Sequence, residues 1–127
     1  MDNTLFKFEK EVQERQKLIC AKYGAIYYHT PVTQLLGIAT QTFAAVEWPI
    51  NGLRNPIQSE QSSNWYIWAG EQFSDTADFF EPMHIFHLRD NHPKILDYLG
   101  LPPGWRFLFV GDDHYEDVWF DESLLRI

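Results

Sequence analysis

Between Gly104 and Glu122 the chain carries two aromatic, β-branched runs, Trp105-Arg106-Phe107-Leu108-Phe109-Val110 and Tyr115-Glu116-Asp117-Val118-Trp119-Phe120. Only Gly111-Asp112-Asp113-His114 separates them. Strand-forming residues flanking a short Gly/Asp turn predict a β-hairpin. Strand side chains alternate between faces, so such a hairpin buries one side and presents the other. The rest of the chain must therefore supply a sheet and a one-sided core. The presented side offers carboxylates and rings. Those groups suit a metal site, an acid–base pair, or a grip on a positively charged partner.

Upstream, the spacing predicts an amphipathic helix over Thr4–Lys22, with Leu5, Phe8, Val12, Ile19 and Cys20 on one side. Asn3 or Thr4 suits its cap, and Lys22 with Gly24 suits its end. Ala25–His29 reads as a strand or an extended connection, and Pro31–Gly37 permits a helical turn. Gly37–Thr40 reads as a short strand and Ala45–Arg54 as an irregular one. Pro49 within the latter favours an edge or a bulge. Asn55–Asn64 is the most polar stretch and the expected loop. Trp65–Glu71 is a strand closing at Gly70, with Trp65 and Trp68 on opposite faces. Ser74, Asp75 and Asp78 suit a capped turn, and Met83–Ile85 a further strand. Pro93 starts a helix that ends at Leu99–Gly100. The expected architecture is α+β: a single domain over 1–127, mainly antiparallel, with an N-terminal helix (1–24), a second helix near 92–99 and the closing hairpin (104–122).

The net charge of −8 is unevenly distributed. Residues 1–70 hold six acids and six bases, whereas twelve acids face four bases from Glu71 onward. A negative half disfavours nucleic acid and anionic lipid and steers cationic partners. The first ten residues carry early charges without an apolar signal-length core, and no run approaches the ~20 residues of a membrane span. A cytoplasmic location is expected. The single cysteine, Cys20, excludes an internal disulfide and argues against a cysteine-based zinc site.

Each chemical alternative depends on spacing. His84 and His87 are three apart, but a strand setting puts them on opposite faces, and His29, His92 and His114 are scattered. Asp112, Asp113, Glu116 and Asp117 miss the glycine and terminal glutamate of a calcium loop. No metal or cofactor is expected. Glu71 paired with Glu116 or Asp121 would suit acid–base work on a sugar or another small substrate, which keeps an enzyme as the alternative reading. No Gly-x-Ser-x-Gly elbow or phosphate-cradling glycine loop is present. Most tryptophans suit the core, yet tryptophan and tyrosine beside carboxylates also anchor protein interfaces.

Several segments share an order with a known bacterial family. These are Gly37-Ile38-Ala39-Thr40, Asn51-Gly52-Leu53-Arg54, Asn64-Trp65-Tyr66-Ile67-Trp68-Ala69-Gly70-Glu71, Pro93-Lys94-Ile95-Leu96-Asp97-Tyr98-Leu99 and Pro103-Gly104-Trp105-Arg106-Phe107. Over residues 37–110 the chain resembles the immunity protein 33 domain. The family pattern has Ser-Gly-Trp where this chain has Ser63-Asn64-Trp65, and a double acid where it has Glu71-Gln72. The resemblance implies stoichiometric neutralisation of a toxin domain in a polymorphic toxin system and carries over no catalytic residues. The expected contact surface is Asp112, Asp113, Tyr115, Glu116, Asp117 and Trp119, extended by Glu71, Asp75 and Asp78. The expected partner is a cognate toxin domain. A plain adaptor subunit is a third reading, and the sequence leaves the oligomeric state open.

Overall fold

The computed structural model describes residues 3–45, 48–74, 78–111 and 115–126. Its frame is a six-stranded sheet in the order β4-β1-β3-β2-β5-β6. The strands are β1 (Leu35–Ile38), β2 (Ile50–Arg54), β3 (Ser62–Ala69), β4 (Glu81–His84), β5 (Trp105–Val110) and β6 (Tyr115–Phe120). Only the β1–β3 pair is parallel, so the sheet is mixed and mostly antiparallel. With helix α1 (Asn3–Tyr23) and the short helices α2 (Thr40–Ala45) and α3 (Leu88–Asn91), the fold is α+β, as the periodicity predicts.

One sheet face carries Leu36, Ile38, Trp65, Ile67, Ile50, Phe107, Phe109 and Val118 into the main core. Helix α1 and the 3-10 segment Pro93–Tyr98 contribute to the same core, the helix through Val12 and Cys20 with Leu5, Phe8 and Ile19 packed alongside. That is the apolar stripe expected of α1. Its polar neighbour Gln16 is buried too, because its side-chain amide donates to the Leu96 carbonyl at 3.0 Å. The other face carries Trp68 and Leu53, covered by Phe79 and Phe80. Trp65 and Trp68 thus separate to opposite sides, as alternation requires.

Several boundaries differ from the expectations. Thr40 opens α2 instead of ending a strand. The Thr42 hydroxyl donates to the Ala39 carbonyl at 2.6 Å and accepts from the Ala69 amide at 2.9 Å, which ties the helix turn to β3. Ala45 belongs to that helix, and Pro49 sits just before β2, which is an internal strand rather than an edge. A proline there costs no ladder bond, because pairing begins at Ile50. Ala25–His29 is an extended connection. The helix expected near 92–99 is a 3-10 segment preceded by α3, which pattern reading missed. The Leu96 carbonyl within it also accepts from Gln16, and just beyond it the Leu99 and Leu101 carbonyls accept from Trp65 and Arg54.

Two backbone features explain sequence choices. Asn64 has φ +60°, in the left-handed region where glycine is the usual residue and asparagine the next most tolerated. This accounts for Ser63-Asn64-Trp65 standing in place of Ser-Gly-Trp. The β1–β3 register also shifts there, between Leu35↔Ser62 and Gly37↔Tyr66. At Gly52, an added Cβ would collide with the Phe107 ring. Gly52→Ala is therefore expected to cost about 1–3 kcal/mol through overpacking. Urea unfolding measures it, and an unchanged midpoint would show that the ring moves aside freely.

Candidate functional site

Register settles what the hairpin presents. Phe107 faces Val118 and Phe109 faces Glu116 across the β5–β6 ladder, so Val118 and Glu116 point to the core side. Tyr115, Asp117 and Trp119 fall on the opposite face with Arg106, Leu108 and Val110. Tyr115 is 54% exposed, Asp117 is exposed, and Trp119 is half-buried beneath the Arg106 guanidinium at 5.4 Å. Arg106 also reaches Asp121 at 3.2 Å, which offsets its charge within the hairpin. Among the described residues, no hydrogen bond or ion pair engages the Asp117 carboxylate.

Glu116 behaves differently. Its carboxylate accepts from the Tyr98 hydroxyl at 2.6 Å, the Tyr23 hydroxyl at 2.5 Å and the Lys22 ammonium at 2.9 Å. Tyr98 itself is buried and stacked on Phe107 and Phe109, with centroids 4.6 and 5.3 Å away. Glu116 thus locks α1 and the Pro93–Tyr98 segment onto β6. Both its oxygens are engaged, so an acid–base pairing with Glu71 would have to break this cluster. Asp121 is similarly occupied, by the Ser123 amide and hydroxyl at 3.1 and 2.6 Å and by Arg106.

Of the upstream acids, Glu71 and Asp78 fall among the described residues. Ala69, Ile50, Phe109 and Glu116 form one row across β3, β2, β5 and β6. Glu71, just beyond β3, therefore lies at the sheet end that also holds the β5–β6 turn, roughly 15 Å away across three strand spacings. Glu71 is exposed and lines an open groove of about 540 Å³ with Trp48, Pro49, Gln72 and Phe79. Asp78 is exposed and directly precedes Phe79, which covers Trp68 on the Asp117 side of the sheet. Phe73, which the sequence reading did not single out, stands 49% exposed against Trp68, with centroids 5.1 Å apart. Asp75, Asp112, Asp113 and His114 lie outside the described residues. Among the described residues, no cluster of three or more His, Cys, Asp or Glu has metal-holding geometry. No helix there is long and apolar enough to cross a membrane.

Residues 15–121 match the family model of the Imm33-like domain. The chain belongs to this family, in agreement with the resemblance carried by its Gly-Leu-Arg, Asn-Trp and Pro-Lys-Ile-Leu segments. The match extends beyond residues 37–110 and takes in the C-terminal part of α1 and both hairpin strands. No curated protein and no solved structure matches the chain.

The Glu116 cluster has a pH signature. Burial pushes this carboxyl up, but the bonds from Tyr23, Tyr98 and Lys22 outweigh that and hold it below its ordinary value of 4.5. A depressed acid stabilises the fold above its unfolded-state value and loses that stabilisation as pH falls through the folded value. Glu116→Gln is expected to lower stability by about 1–2 kcal/mol near neutrality. Its melting-temperature gap to wild type should close below about pH 4. A gap that stays constant into stronger acid would mean the cluster does not depend on the charge.

Proposed function

We propose that this chain is a cytoplasmic, non-enzymatic immunity protein that binds and occludes a toxin domain. Membership of the Imm33-like family supports a role in immunity. The observation that carries the contact surface is the shared face of Tyr115, Asp117 and Trp119 on an edge hairpin, with the Asp117 charge unengaged. Rings flanked by free acids combine anchoring area with steering of a basic partner. Glu71 and Asp78 extend the acidic rim, and Asp75, Asp112 and Asp113 complete it by sequence position. Glu116 serves this surface indirectly by fixing the hairpin to α1. If the toxin is a nuclease, such acids stand where phosphates would bind.

The test uses the product of the adjacent gene as candidate toxin, in a pull-down followed by co-expression rescue. Changing Asp112, Asp113 and Asp117 to Asn should slow association about tenfold or more at low salt, with a smaller effect as salt rises. Trp119→Ala should weaken binding about 30-fold, a loss typical of an aromatic anchor. Melting curves separate this from misfolding. Full protection after Tyr115→Ala, Trp119→Ala and the three Asn changes together would remove this face from the interface.

A further inference from the structure

Where β2 and β3 meet at the Glu71 end of the sheet, an exposed ring and an exposed acid share one groove. The Gly70 amide donates to the Pro49 carbonyl at 2.8 Å, one step beyond the Ile50↔Ala69 pair. Trp48 and Glu71 follow, one residue further along each chain segment. Trp48 is 37% exposed, and the Phe109 ring backs it with centroids 6.2 Å apart. Glu71 is exposed, and among the described residues no hydrogen bond or ion pair engages its carboxylate. Both residues line the groove of about 540 Å³.

The remaining walls are largely apolar, supplied by Ala45 of α2, Pro49, Ala69 and Phe79. Among the described residues Glu71 is the one charged group that lines the groove. The Thr42 hydroxyl, also on the wall, is already engaged by the Ala39 carbonyl and the Ala69 amide. Opposed residues on neighbouring strands stand about 5 Å apart. A ring and a carboxylate one residue beyond such a pair lie within the span of a single guanidinium. That group stacks on an aromatic face and bonds a carboxylate through its edge. Methylenes of the same side chain cover apolar walls. The surrounding field has the matching sign, with twelve acids against four bases from Glu71 onward.

We propose that this groove seats an arginine side chain from an extended segment of a protein partner. The guanidinium stacks on Trp48 and pairs with Glu71, while its stem lies along Ala45 and Phe79. A lysine fits less well, because an ammonium is more strongly hydrated and meets a carboxylate as a point charge. An acidic segment is repelled. That the partner is a toxin rests on the function proposed above, whereas the guanidinium preference rests on the groove alone. The two are therefore tested separately.

The probes are an acetylated, amidated Gly-Arg-Gly peptide and its lysine and citrulline counterparts, the last keeping the arginine shape without the charge. Each is titrated into the intact, isotope-labelled protein. NMR follows the Trp48 indole N–H resonance, assigned by its loss in Trp48→Phe. The arginine peptide should shift this signal saturably and bind about fivefold more tightly than the citrulline peptide. Glu71→Gln changes an exposed, unpaired group, so it should keep the wild-type melting transition and bring the two affinities together. The proposal is overturned by absence of a saturable shift, by tighter binding of the lysine peptide, or by equal affinity for the arginine and citrulline peptides. An arginine preference that survives Glu71→Gln overturns it too. A failed toxin pull-down beside a bound arginine peptide removes the toxin reading and keeps the groove. A captured toxin with no peptide binding does the reverse.

Discussion

A buried guanidinium held by neutral acceptors organises one end of this fold. Arg54 joins the end of β2 to Ser63 in β3, to Thr30 in the connection after α1, and to Leu101 beyond the 3-10 segment. Three of these stretches present an oxygen to it, Ser63 and Leu101 a carbonyl and Thr30 a hydroxyl. Trp65 adds a bond to the Leu99 carbonyl at 3.1 Å. Burying a cation costs several kcal/mol unless its donors are met, so the local geometry must be built around this side chain. An acid at this point would neutralise the charge. No carboxylate pairs with it among the described residues, so neutral oxygens alone hold the buried charge.

The hairpin illustrates the reverse arrangement, in which one strand serves two purposes. On the core side, Glu116 gathers two tyrosine hydroxyls and a lysine from α1 and the Pro93–Tyr98 segment. On the other, Tyr115, Asp117 and Trp119 face outward. Adjacent acids in the same run thus have opposite roles, because successive side chains of a strand point to opposite faces. Glu116 secures β6 from behind, while Asp117 stays on the exposed side.

Much of the fold was legible in advance. The α1 stripe, the Trp65/Trp68 split and the closing hairpin follow from periodicity, which reports local geometry directly. The family resemblance was legible in short motifs, and Asn64 shows why a departure from them is harmless. Other features were not legible. Pro49 pointed to an edge strand, although the ladder simply begins one residue later. The 92–99 segment had helical punctuation, but its conformation is 3-10. That Glu116 and Asp117, adjacent in sequence, point to opposite faces of β6 follows from the strand register. Arg54 read only as the end of a strand, and its burial among neutral oxygens was not legible.

By itself, the sequence determined the α+β class, the one-sided charge, the aromatic hairpin and the family, since all of these rest on composition, period and motif. Only the tertiary structure decided which acids are free, which are bonded and where a buried cation meets neutral oxygens. Those properties depend on groups brought together across the sheet, such as Glu116 with Tyr23 and Tyr98, or Arg54 with Thr30 and Leu101. Hydrogen-bond partnership and desolvation act over a few ångströms in space, and spacing along the chain carries no record of them.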